Sequence, residues 1–590
     1  MAILKPGTDK IKGGEIVTRI LAAEGVRRVF GIIDGTYFGM YSTFEDNNIE
    51  LITPRHETSA AHMAGAYARL TGELGVCMAS NGPGVANILP GVAVEEAEGN
   101  RVLLITSSRR QPLVYPDRGG TYQYFPQVDV IGAMAKWSCH VSEVDRVGEI
   151  MRHALRRCYQ GRPGVVHVDV PEDIMNGTFE LDPSWLRSPS AYRVDHRVEP
   201  APELISRSAD MLIDSELPLI QVGSGVIHAG ASDLVHEIAE MLQAPITTSW
   251  AARAAVDERR QQVIPMIYLD AVKEARNTAD LVLTLGSRLG ETDWWGKAPY
   301  WAKPEDQKMI QVDIDETTLG ANKPAELLVQ ADIEVYLQRL LAELKERRAG
   351  GSPARSRHLE GLRRSTMKRR AKLDKRLDSS SLPMCSAHIP VECQKVFDDD
   401  AILVIDGGNT AVWANFYHQV RTPNTMLSTP KMGMLGAGVS QALAAKAAHP
   451  DRQVYCIIGD GAMGFHPQEL ETAVRHDLPV VYLIACDKQW GMVKMNQQFA
   501  LRPVKTLIKK SLDADETINA DLGEIQWDAL ARSMGAHGER VADPNGLQGA
   551  IRRSLASGLP AVIHCDVDPV THMWAPELKT FKDMHAEPAG

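Results

Sequence analysis

The chain has 590 residues, 44% of them hydrophobic and 24% charged. Single hydrophobic cores rarely grow beyond roughly 250 to 300 residues, so two to four domains are expected. A formal charge of -11 and a pI near 5.9 argue against phosphate-backbone binding, which makes nucleic acid a poor partner. No run of about 20 uncharged apolar residues is present to span a bilayer. The start, MAILKPGTDKIKGGEIVTRIL, lacks the apolar core and cleavage site of a secretory signal, so cytoplasmic residence is the default expectation.

Residues 1–185 alternate helical patterns with short β-branched runs: EIVTRILAAEG precedes VRRVFGII, and ELGVCMAS is followed by VLLITSS. That alternation predicts a parallel sheet with helices on both faces. A second α/β unit is expected over 195–344, where LPLIQVGSGV, APITTSW, ADLVLTLGSRL and KMIQVDID read as buried strands. The Arg- and Lys-rich segment 345–384 reads as a partly helical surface connection. Over 385–571 the strands AILVIDGG, QVYCIIGDGA, LPVVYLIACD and PAVIHCDVD predict a third domain. The last stretch, 572–590, with Pro576, Phe581 and His585, has no strand pattern and reads as a frayed tail or a covering arm. The fold class expected is therefore α/β: three doubly wound parallel-sheet domains with a C-terminal arm. The eight cysteines form no C-x-x-C pair and read as small buried thiols.

The strongest chemical signal is IIGDGAMGFHPQELETAVRHDLPVVYLIACDKQWGM. One apolar strand ends at Gly459, Asp460 and Gly461, and the next ends at Asp487. A strand-helix-strand return brings both carboxylates to one sheet edge, where ligands of open parallel sheets bind. Two carboxylates there can share an octahedral cation with phosphate oxygens and a backbone carbonyl. In the first domain, RHETSAAHMAGAYARLTG sets Glu57 between an apolar segment and an Ala-rich helix; by itself it reads equally as a helix N-terminal charge or a catalytic group.

These segments together resemble the thiamine diphosphate-dependent enzymes that include acetolactate synthases, pyruvate oxidases and oxalyl-CoA decarboxylases, over essentially the whole chain. The resemblance implies pyrimidine-binding, middle and diphosphate-binding domains in that order. It implies that Asp460, Asp487 and the carbonyl of Gln489 hold magnesium or another divalent cation, and that Gly461, Ala462 and Met463 offer N–H groups to the diphosphate. Trp490, Gly491 and Met492 continue the same motif. The family's usual Asn stands here as Asp487, which adds a negative charge to the site. Glu57 would bond the pyrimidine N1′ and promote the imino tautomer. Asn81 and Asn87, in NGPGVAN, would face the pyrimidine, although Gly-Pro-Gly is also a turn. In KMGMLGAG, Gly433 would accept from the 4′-amino group and Leu435 would wedge between the rings, with plain glycine packing as the alternative. Asn409 and Thr410, in DGGNTAVWANF, would reach the diphosphate. A homodimer or homotetramer is implied, with the cofactor between subunits.

Within the family, acetolactate synthases carry a Gln-Trp pair shortly after G-M-V, where this chain has Lys494, Met495 and Asn496; the His-His pair of pyruvate decarboxylases is absent. The G-x-N-T run at Gly407–Thr410 and GFHPQELET are similar to the oxalyl-CoA decarboxylase and 2-hydroxyacyl-CoA lyase branch. The resemblance thus leans toward a 2-hydroxyacyl-CoA lyase giving formyl-CoA and a ketone or aldehyde. An acetolactate synthase-type carboligase or oxidase acting on pyruvate, and a non-catalytic cofactor-binding subunit, stand as alternatives. Tyr122, Gln123 and Gln127 fall where relatives put side chains facing the reactive carbon, and Lys494 is expected to point into the site. Arg288 and Asp313 match positions that hold an adenine nucleotide, either the ADP part of coenzyme A or FAD; otherwise they are a helix-facing Arg and a strand-end Asp.

Overall fold

The computed structural model describes residues 10–578. Three parallel sheets form where the β-branched runs lie. The first sheet takes Arg28–Gly31, Glu50–Ile52, Gly75–Ala79, Val102–Ser108, Trp137–His140 and Val165–Pro171, paired throughout in parallel. Numbered along the chain within their domain, these strands lie in the order 2-1-3-4-6-5. The third domain repeats that order with Ile402–Asp406, Met426–Leu427, Val454–Gly459, Val481–Cys486, His537–Val541 and Ala561–Asp566. The middle sheet, Pro218–Val222, Ile246–Thr248, Leu281–Leu285, Lys308–Asp313 and Leu327–Gln330, has the order 2-1-3-4-5. All three are doubly wound, so each has a crevice at the carboxyl ends of its first and third strands, where the chain leaves in opposite directions.

Central strands such as Val454–Gly459 and Val481–Cys486 are buried along their whole length, as expected of a sheet covered by helices on both faces. Burying each Val, Leu or Ile contributes roughly 1.5–3 kcal/mol. The strands that periodicity alone does not single out are short or half-exposed edges, among them Met426–Leu427, Leu327–Gln330 and Trp137–His140. The basic segment 345–384 contains a 22-residue helix, Pro353–Asp374. It is held by Arg355, whose guanidinium donates to the carbonyls of Leu212, Ser215 and Leu242.

The first and third domains share one core. The helices Glu57–Thr71 and Ala437–Ala448 are Ala-rich on their facing sides, and Ala60, Ala64, Ala442 and Ala445 belong to a single buried cluster. At one end of this contact the Arg55 N–H donates to both carboxylate oxygens of Glu469 at 3.2 and 3.1 Å. Seven of the eight cysteines are buried and all are unpaired. Among the described residues no helix is long and apolar enough to cross a membrane. Phe581 and His585, and with them most of the expected arm, lie outside the described residues; the part within them, Met573 and Leu578, packs against Met495.

Candidate active site

At the crevice of the third domain, Ile402–Asp406 ends beside Val454–Gly459, with Asp406 paired opposite Ile458. Asp460 follows immediately, and Asp487 comes directly after the next strand, Val481–Cys486. Both carboxylates are buried, and burial pushes each up to about 7, with the neighbouring Asp487 charge adding to the rise at Asp460. Asp460 accepts from the N–H groups of Gly461 and Lys488, both at 2.8 Å. Among the described residues Asp487 Oδ2 has no hydrogen-bond partner, nor have the amide oxygen and nitrogen of Asn409. A Cβ added at Gly491 would lie 2.7 Å from Asn409 Nδ2 and 3.0 Å from Asp487 Oδ2, so these orphaned groups converge on one glycine. Buried polar atoms are ordinarily paired; two buried carboxylates with a free oxygen are the donor set a hard divalent cation takes. The residues present therefore fit a cation-held diphosphate.

Glycine is needed at two points of this cradle. A Cβ at Gly461 would meet the Trp490 ring at 2.7 Å, and one at Gly459 would sit 3.0 Å from Thr410 Oγ1. The loop that carries Gln489 is braced from outside the motif. Trp490 N donates to Ala520 O and Leu522 N to Lys488 O, both at 2.8 Å, and Gln489 Nε2 donates to Pro569 O at 2.8 Å. Lys494 lies buried on the helix Gly491–Leu501, where its Nζ bonds Asp521 Oδ1 at 2.6 Å. Its charge is thus met within the chain.

A cavity of about 370 Å³ adjoins the cradle. Gly433, Leu435 and Met492 line it together with Gly407, Gly408 and, from the middle domain, Trp250. Gly433 has a positive φ of 60°, the left-handed region that favours glycine. Asp406, on the wall, is pushed up to about 6 by burial, although Gly407 and Gly438 donate to it at 2.5 and 2.8 Å.

Glu57 starts its helix at the carboxyl end of the first sheet, half-buried, and Asn87 Nδ2 donates to its Oε2 at 3.0 Å. Thr58 Oγ1 bonds the Asn87 carbonyl. The Asn81–Pro83 turn lies at that sheet's own crevice: Asn81 N donates to Ser107 Oγ at 3.1 Å and Asn81 Nδ2 to Gln123 O at 3.1 Å. Gln123 has φ 55°, Tyr122 is exposed, and Gln127 is buried, its Nε2 donating to Asp169 Oδ1 at 2.6 Å and to Ser107 O at 2.8 Å. The structure brings Glu57, Asn81, Asn87 and Gln123 together. Among the described residues no hydrogen bond or ion pair joins that group to Asp460 or Asp487.

Arg288 and Asp313 line a third space, a cavity of about 720 Å³ at the crevice of the middle domain, with Gly223 and Gly286 at its strand ends. Sequence reading misses Arg101, Arg162 and Lys431 on its wall, because these come from the other two domains; Glu96, Glu98 and Glu291 line it as well. Burial, followed by the charge of Arg288, brings Lys431 down to about 8.

The chain matches the N-terminal TPP binding domain of thiamine pyrophosphate enzymes over residues 11–131, their central domain over 205–340 and their C-terminal TPP binding domain over 406–565. It belongs to the thiamine pyrophosphate enzyme family. It is similar to the probable acetolactate synthase large subunit of Methanocaldococcus jannaschii, 26% identical over 95% of this chain and 92% of the relative. The acetolactate synthase large subunit of Parasynechococcus marenigrum is 29% identical over 94% of the chain and 88% of its own length. The isozyme 2 large subunit of Escherichia coli is 27% identical over 96% and 97%. These relatives correct the branch drawn from Gly407–Thr410 and GFHPQELET: they give the 2-hydroxyacyl-CoA lyase reading no support and favour the carboligase alternative. Both runs lie on cradle-forming turns and helix starts, where geometry constrains sequence whatever the substrate.

Proposed function

We propose that this protein is a thiamine diphosphate- and magnesium-dependent carboligase of the acetolactate synthase type, taking pyruvate or a similar short 2-keto acid. The observation that carries the cofactor half is the convergence of Asp487 Oδ2 and the Asn409 amide, buried without partners among the described residues, on Gly491. The near full-length likeness to acetolactate synthase large subunits supports the substrate half.

Asp460, Asp487 and the carbonyl of Gln489 would hold the cation, with Asn409, Thr410 and the backbone of Gly461–Met463 facing the diphosphate. When bound, thiamine diphosphate supplies a nucleophilic carbon and a sink for the electron pair of the broken bond. Glu57 would share its proton with the aminopyrimidine, and, as the family resemblance implies, a second copy of the chain would supply it. Gly433 and Leu435 would set the bend of the cofactor, and the 370 Å³ cavity they line would shield the reacting carbon from bulk water. The 720 Å³ cavity at Arg288 and Asp313 would take an adenine nucleotide, FAD or the ADP part of coenzyme A, with Arg101, Arg162, Arg288 and Lys431 among its lining as candidates to meet the diphosphate.

The test is a substrate panel on the magnesium- and cofactor-loaded enzyme, read by mass spectrometry. Acetolactate from pyruvate is the expected product. Formyl-CoA from a 2-hydroxyacyl-CoA, with no acetolactate, would restore the lyase reading.

A further inference from the structure

His572 lies outside every motif in the sequence, yet it is buried directly behind the cradle, on the short helix Pro569–Met573. Its Nδ1 is 2.6 Å from Ser386 Oγ, and its Nε2 is 3.3 Å from Thr410 Oγ1 and 3.9 Å from Asp487 Oδ2. Its carbonyl accepts from Trp413 Nε1 at 2.8 Å, which fixes the backbone that carries the ring.

A neutral imidazole has one N–H and one lone pair. The carboxylate of Asp487 favours the hydrogen on the nitrogen that faces it, Nε2. Nδ1 is then the acceptor, and the Ser386 hydroxyl donates to it. Nε2–H in turn donates to Thr410 Oγ1. That bond occupies a lone pair of Thr410 and leaves its own O–H free. Among the described residues the Thr410 hydroxyl makes no other hydrogen bond, and it stands against Gly459 at the start of the Gly459–Asp460–Gly461 turn.

We infer that His572 is a positioning residue, which holds the Thr410 hydroxyl with its hydrogen aimed at a phosphate oxygen of the bound cofactor. Ser386, His572 and Thr410 form a one-way chain of donors that ends at the anion. This rests on the diphosphate reading of the cradle. It also bears on how Asp487 is tolerated: the positive end of the Nε2–H dipole lies beside the carboxylate that replaces an amide, 3.9 Å away.

The test is calorimetric binding of inorganic pyrophosphate with magnesium to the full-length protein and its variants, with thermal stability measured alongside. His572→Leu and Thr410→Val are each expected to weaken pyrophosphate binding roughly tenfold, and the double variant no further, because both remove the same bond. His572→Gln, which keeps a donor at the Nε2 position, is expected to rescue binding to within about twofold of wild type. If the Leu variant does not fold, His572→Asn, which offers a group only on the Nδ1 side, takes its place. Unchanged binding in His572→Leu, or losses that add in full on Thr410→Val, would overturn the inference. Failure of the wild-type protein to bind pyrophosphate with magnesium would instead remove the diphosphate reading beneath it.

Discussion

The cradle around Asp460 and the group around Glu57 sit on sheets of identical strand order, yet their chemistry differs. At the cradle, Asp487 Oδ2 and the Asn409 amide are buried without partners, and both aspartates are raised to about 7. Around Glu57 the polar groups are satisfied locally, by Asn87, Ser107 and the Gln123 carbonyl. One group leaves buried polar atoms unpaired among the described residues. The other pairs its own within the first domain.

The largest effect expected on that contrast is at Glu57. Glu57→Gln should slow C2–H exchange of the bound cofactor by about 10²–10⁴-fold, followed by deuterium exchange and NMR, while cofactor affinity changes little. Exchange at the wild-type rate would remove Glu57 from activation and leave it as a helix-start charge. Asp460→Ala should do the reverse, abolishing magnesium-dependent cofactor binding in calorimetry. Retained binding in that variant would show that the orphaned oxygens serve some other purpose.

The aspartates also fix a pH dependence. Raised to about 7, the pair holds a proton in the cation-free fold below that pH, where the unfolded chain is already ionised. The cation-free protein should therefore lose stability as pH rises through about 7. Magnesium binding releases the proton, so magnesium affinity should fall as pH drops below about 7. Asp487→Asn should move that fall to lower pH, and a pH-independent magnesium affinity would contradict the assignment. The smallest effect belongs to the exposed Tyr122, where Tyr122→Phe should change stability by no more than about 0.5 kcal/mol; a larger change in thermal denaturation would mean that this face is covered by another chain.

What could be read in advance follows the same division. Strand runs such as VYCIIGDG and VYLIACD announce themselves because burial on both faces demands unbroken apolar residues and an aspartate closes each run. Gln127 was placed from a resemblance as facing the reactive carbon, but its amide is committed to Asp169 and Ser107, partners on two other strands. The surroundings of His572, the Ala520–Leu522 brace and the shared wall of the 720 Å³ cavity are invisible in the sequence because each is assembled from residues far apart in the chain. No local period or spacing marks such meetings. The branch expectation gains no support for a related reason: the runs used for it lie on turns and helix starts beside the cradle.

The central claim is that Glu57 and the aspartates act together across two copies of the chain. It is tested most directly by mixing Glu57→Gln with Asp460→Ala under conditions of subunit exchange and measuring C2–H exchange of thiamine diphosphate. Each variant alone should be inactive. Mixed pairs would hold one site with both wild-type residues, so about a quarter of the wild-type rate per site should return from an equal mixture of random dimers. No recovery, once mixed oligomers are shown to have formed, would contradict the claim.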